Sequence, residues 1–160
     1  MGLDMYLNKH VYIGANYADV NEVKGTINIT KRGETIPINF NKVKYIVEEG
    51  AYWRKANAVH KWFVDNVQGG EDNCKEYYVE VEQLQELVDL CKQIMHAYTH
   101  DEQKGIALAQ ELLPTCSGFF YGGTEYGFNY FQDIQSTIIQ LEPLIENTEK
   151  YTDYYYKSSW

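Results

Sequence analysis

Leu84, Leu87, Val88, Cys91, Ile94, Met95 and Tyr98 recur at steps of three and four between Glu80 and Tyr98. That rhythm predicts an amphipathic helix with a single apolar stripe. Such a stripe has to be buried against other elements, so the rest of the chain must supply a complementary layer. The first fifty residues read as that layer. Met5 to Ile13 is short and β-rich, and Thr26–Thr30 and Thr35–Phe40 alternate around the turn Lys31-Arg-Gly-Glu34. The spacing predicts a hairpin, with Pro37 marking an edge strand and Val43–Val47 a further strand before Gly50.

From Tyr52 the period changes from two to about 3.6. Trp53, Ala56, Val59, His60, Phe63, Val64 and Val67 share one helical face, and Gly69-Gly70 ends it. Further helices are expected over Gln103–Leu113, stopped by Pro114, and over Phe128–Asn147, with Pro143 able to bend the latter. The Gly-bounded aromatic segment 115–126 lies between them. The expected fold class is α+β: a single domain in which an N-terminal antiparallel hairpin or sheet (1–50) packs with about four α-helices (51–148). The Tyr-rich tail 149–160 is expected to be ordered, docked on the domain or on another chain, which allows a homo-oligomer.

The charge balance narrows the partners. A net charge of −9 argues against general nucleic-acid binding, which needs basic surface. Yet residues 42–70 hold five basic and three acidic side chains, while residues 71–102 hold two and nine. A small anion is drawn to the first segment even though the whole chain repels polyanions. Cys74, Cys91 and Cys116 lack CxxC spacing and fit a reduced, cytosolic setting. No apolar run is long enough to span a membrane, and no cofactor is expected.

On a helical wheel covering Ala51–Phe63, the apolar side chains fill an arc of about 140°. Arg54, Asn57 and Lys61 cluster beside it, with Lys55 and Trp62 roughly opposite. Arg54 can fork onto a phosphate, Lys61 adds a point charge, and Asn57 offers a donor and an acceptor. These three are the candidate contact edge, with Trp53 and His60 at the pocket floor. The plainer reading of that imidazole is a buried His60 bonded to a backbone carbonyl, and the sharper one a contact at the pocket floor or a general base. Gly122-Gly-Thr124 could present backbone N–H groups to an anion through Thr124, although it lacks the Lys and spacing of a P-loop. Phe119, Tyr121 and Tyr126 are candidates to stack on a base. His96 and His100 stand four apart, but no Glu follows His96 as a zinc-protease motif requires, so no metal site is expected. Glu71 and Asp72 read as an acidic loop without calcium-loop spacing.

Three separated motifs, Met1-Gly-Leu-Asp-Met-Tyr-Leu7, Tyr52–Val64 (YWRKANAVHKWFV) and Leu113–Tyr126 (LPTCSGFFYGGTEY), resemble a family of uncharacterised proteins of tailed phages and prophages. Cys116, Tyr121 and Gly123 depart from the family's usual loop, which reads closer to PTQSGFFFGS. The resemblance implies a protein acting in the cytoplasm of an infected bacterium, against host immunity. The leading expectation is a non-catalytic binder that sequesters a small phosphate-bearing nucleotide. The alternative is a protein–protein inhibitor of a host defence protein, using the Tyr-rich tail and the acidic helix. A nucleotide phosphodiesterase or hydrolase using His60 or the His96/His100 pair with a metal comes last.

Overall fold

The structure, a computed structural model, describes residues 2–14 and 28–160. Thr26 and Ile27 of the expected hairpin strand, like Met1 of the first motif, lie outside the described residues. The elements run β1 (Asp4–Tyr12), β2 (Ile29–Lys31), β3 (Glu34–Ile36), β4 (Tyr45–Arg54), α1 (Asn57–Asn66), β5 (Tyr77–Val79), α2 (Val81–His100), α3 (Glu102–Leu112), α4 (Phe128–Glu146) and β6 (Thr152–Ser159). Four helices and a four-stranded antiparallel sheet make the fold α+β.

The sheet order is β4-β1-β6-β5, so the C-terminal strand sits inside the sheet, between β1 and β5. Alternation explains its Tyr-rich sequence. Tyr154, Tyr156 and Ser158 face the core and are buried, while Tyr155 and Lys157 face the other way. On β1 the buried partners are Met5 and Leu7, continued outward by Leu3. Here the tail docks on its own domain, as one of the two expectations had it. The β2–β3 hairpin forms at the expected turn, with Arg32 and Gly33 both at positive φ, the geometry that suits a two-residue hairpin loop. It is a separate two-stranded ribbon with every residue exposed.

Beginning a helix near Tyr52 is corrected by the structure. Ala51–Arg54 belongs to β4, which runs on through Gly50 from Tyr45, and α1 begins only at Asn57. Met5 lies opposite Trp53 and Asp4 opposite Arg54 across the β1–β4 ladder. Trp53 fits a helical period and a strand alternation equally well. Pairing with β1, which short-range periodicity cannot register, selects the strand.

The long helix keeps its predicted stripe. Glu80 and Gln83 form a reciprocal capping box, and Leu84, Leu87, Val88, Cys91 and Ile94 are buried. Asp101 ends α2 and its carboxylate caps α3 by accepting from the amide of Lys104. The two helices then touch so closely that a Cβ added to Gly105 would lie 2.3 Å from Cα of Tyr98. On α4, Phe131 stacks on Tyr98 with centroids 3.6 Å apart, and Ile134, Thr137 and Leu141 are buried. Pro143 lies within α4, where Glu142 pairs with Lys92 of α2. Among the described residues no helix is long and apolar enough to cross a membrane.

Candidate functional site

The strand-to-helix corner after β4 organises the site. Lys55 breaks the strand with φ +60°, a left-handed conformation costing a non-glycine residue about 1 kcal/mol, and its amide donates to the carbonyl of Leu3 at 2.8 Å. Two residues on, Asn57 is buried, and its side chain is committed to the 115–123 loop. Its amide nitrogen donates to the carbonyls of Tyr121 (3.2 Å) and Gly123 (2.8 Å), and its oxygen accepts from the amide of Cys116 at 3.1 Å. Its donor and acceptor are thus both engaged within the protein. Asn57 shapes the site as a clamp and also lines the cleft.

His60 is wholly buried behind that clamp. A carboxylate can only accept, so Nε2–H of His60 donates to Asp72 (3.1 Å), and the hydroxyl of Tyr156 donates to Nδ1 (2.7 Å). Asp72 also accepts from the hydroxyl of Tyr121 (2.6 Å) and from the indole of Trp160 (3.1 Å). Burial holds the His60 imidazole below its ordinary pKa, partly offset by Asp72, and pushes the Tyr156 hydroxyl up. Both ring nitrogens are engaged inside the fold. His60 is therefore a core residue joining α1, the loop after it, and β6; its partners are two side chains where a backbone carbonyl was expected.

In front of the corner lies a cleft of about 540 Å³, within the range of small-molecule sites. Arg54 and Lys55 line one part, with Gly122 and Gly123 of the clamped loop. The N-terminus of α4 lines another. Gly127 is its N-cap and no side chain caps it, so the amides of Phe128, Asn129 and Tyr130 have no partner within the helix. Neither Arg54 nor Lys55 forms an ion pair among the described residues. Phe128 is 77% exposed beside them. Asp133, six residues into α4, also lines the cleft, and burial pushes its carboxyl up to about 6.

The structure therefore brings together Arg54, Asn57 and the Gly122–Gly123 segment, as the sequence suggested, but not the whole predicted set. Lys61 forms an ion pair with Asp65 at 2.5 Å and does not line the cleft. Trp53 is buried and donates from its indole to Thr137 at 2.9 Å. Tyr121 is likewise buried, bonded to Asp72, and Tyr126 accepts from the amide of Thr115 at 3.1 Å. Phe119 is 81% exposed but outside the cleft, as is Thr124, whose carbonyl accepts from Thr115. His96 and His100 do share a face of α2, with ring centroids 4.3 Å apart. Among the described residues no group of three or more His, Cys, Asp or Glu is arranged to hold a metal.

Sequence reasoning missed Lys55, Phe128, Asp133 and Asp72. The first was assigned to the back of a helix begun too early. The N-terminal start of α4 was in view, and a helix start behind a bare Gly127 was the available signal for an anion-facing end. Nothing local marks Asp133 or Asp72, because their surroundings come from distant segments.

Fold and cleft together define an α+β protein with a cationic corner facing an uncapped helix start. Comparison with protein-family models, curated proteins and solved structures finds no match to this chain.

Proposed function

We propose that the cleft binds a small phosphate-bearing nucleotide without turning it over. The observation that carries this reading is the convergence of Arg54, Lys55 and the uncapped start of α4 on one concave surface. A phosphate at that end gains a guanidinium fork, an ammonium and backbone N–H donors. Asp133 lies six residues beyond Gly127, about 9 Å along the helix axis. A carboxylate there disfavours a bare polyanion but accepts from N–H or O–H groups. A ligand with phosphate at one end and a sugar or base at the other satisfies both, and Phe128 offers a ring for stacking.

The resemblance of three motifs to phage and prophage proteins supports assigning such a binder to sequestration of a host immune signal. Binding of cyclic oligonucleotides and ADP-ribose derivatives, followed by thermal shift and calorimetry, tests the reading. At least one member should stabilise the protein, and Arg54→Ala should weaken it tenfold or more. Absence of binding across the panel sinks the proposal. On the alternative reading, an inhibitor using the Tyr-rich tail and the acidic helix as its surface, the tail presents a strand face and not a free arm, because Tyr154 and Tyr156 are interior side chains of an interior strand.

A further inference from the structure

One face of the sheet carries the buried Met5, Leu7, Tyr154 and Tyr156, and the alternate residues make up the second face. Tyr45 of β4, His10 of β1, Tyr155 of β6 and Tyr78 of β5 place one ring per strand across that second face. Successive centroids lie 6.3, 4.5 and 5.7 Å apart, so the rings form one continuous row over the full width of the sheet. Tyr78 is 52% exposed and Tyr45 48%, and Val47, two residues from Tyr45 on β4, is 55% exposed. The core does not require these rings, because the alternate residues Met5, Leu7, Tyr154 and Tyr156 already fill it.

The charges the register places nearest the row are mostly acidic, with Lys157, two residues from Tyr155 on the same face, as the exception. Asp153 is opposite His10 in the β1–β6 register, and Glu49 is opposite Asn8 in the β1–β4 register. Glu76 accepts from the side-chain amide of Asn8 at 3.3 Å, so it also reaches this face. Arg54, opposite Asp4, stands at the far end of this face, and Lys157, opposite Tyr6, flanks Tyr155 on the side away from Asp153. Tyrosine faces attract Arg and Lys through their ring quadrupole, and neighbouring carboxylates complete a pair with a guanidinium. Nucleic acid also stacks on aromatic sheet faces, but phosphates meeting Asp153, Glu49 and Glu76 would be repelled.

The geometry points to the open sheet face as a docking surface for an arginine- and lysine-bearing segment of another protein. None of the four rings of the row lines the cleft. A labelled nona-arginine peptide, titrated by fluorescence anisotropy at physiological salt, serves as the probe. Tyr78→Ala with Tyr45→Ser, which leaves the net charge unchanged, should weaken binding tenfold or more. Asp153→Asn with Glu49→Gln should do the same. Glu86→Gln with Glu111→Gln, removing two charges from α2 and α3, should change it less than twofold.

Failure of the wild-type protein to bind the peptide overturns the proposal. So does equal weakening by both pairs of charge substitutions, which would mean attraction to the net charge alone. Tighter binding of single-stranded RNA than of the peptide to the same face would also overturn it. Circular dichroism checks that each variant folds, and the charge pairs decide the matter if the tyrosine variant does not.

Discussion

The hydroxyl of Tyr156 lies 2.7 Å from Nδ1 of His60, ninety-six residues earlier in the chain. The same tyrosine stacks on Phe63 at 3.9 Å and 6°. Together these contacts lock the last strand onto the first helix. Deleting residues 152–160 should therefore remove an interior strand and abolish cooperative unfolding, seen as loss of near-ultraviolet dichroism. Tyr156→Phe is milder: it leaves Nδ1 without a partner and should cost about 1–2 kcal/mol in chemical denaturation. A Tyr156→Phe protein as stable as wild type would refute the role given to this bond.

Acid stability should carry the signature of His60. Its folded pKa is below the ordinary 6.5, so the unfolded chain takes up the proton first as pH falls. Stability contributed by the neutral imidazole is complete above about 6.5 and is lost as pH drops below it towards the folded pKa. His60→Gln should lose stability at neutral pH while showing a shallower decline below pH 6.5. Urea titrations at several pH values measure both.

Asp133 contributes a dependence of opposite sign. Its folded pKa is raised from 3.8 to about 6, so the folded protein holds the proton more tightly and stability falls as pH rises through that window. Asp133→Asn should raise the melting temperature at pH 7.5 and flatten this component. Inorganic phosphate should also bind the variant more tightly, since a carboxylate has left the cleft. A melting temperature unchanged at pH 7.5 would show that the charge is solvated.

Asn57→Ala should cost about 3 kcal/mol, as three hydrogen bonds to the 115–123 loop disappear from a buried site. Amide exchange at Gly122 and Gly123 should accelerate more than exchange in α2. Uniform acceleration would mean global destabilisation, not release of the loop.

Gly105→Ala tests the contact between α2 and α3. In an exposed helix this change usually stabilises by about 1 kcal/mol. Here the added methyl meets the backbone of Tyr98 at 2.3 Å, and the expected result is a loss of several kcal/mol. Thermal denaturation gives the sign directly.

Arg54, Lys61 and Tyr156 illustrate what could be read in advance. The α2 stripe, the α3 stop and the start of α4 depend on side chains within a few residues of one another, and they form where expected. Arg54 was found for a partly mistaken reason: its place on a helix wheel has no counterpart in β4, yet the strand's end delivers it to the same corner. Lys61, one helical turn beyond Asn57, was grouped with it and instead pairs with Asp65.

Short-range chemistry was enough to specify an α+β chain and its four helices. Periodicity and capping act over one or two turns, and their energies are already present in the local chain. The strand status of Trp53, the interior position of β6, the gathering of His60, Tyr121 and Trp160 on Asp72, and the row of rings from Tyr45 to Tyr78 were decided only by the tertiary structure. Each depends on pairings between segments tens of residues apart. Their stabilising energy comes from shared burial and ladder hydrogen bonds, which exist only once the segments have met.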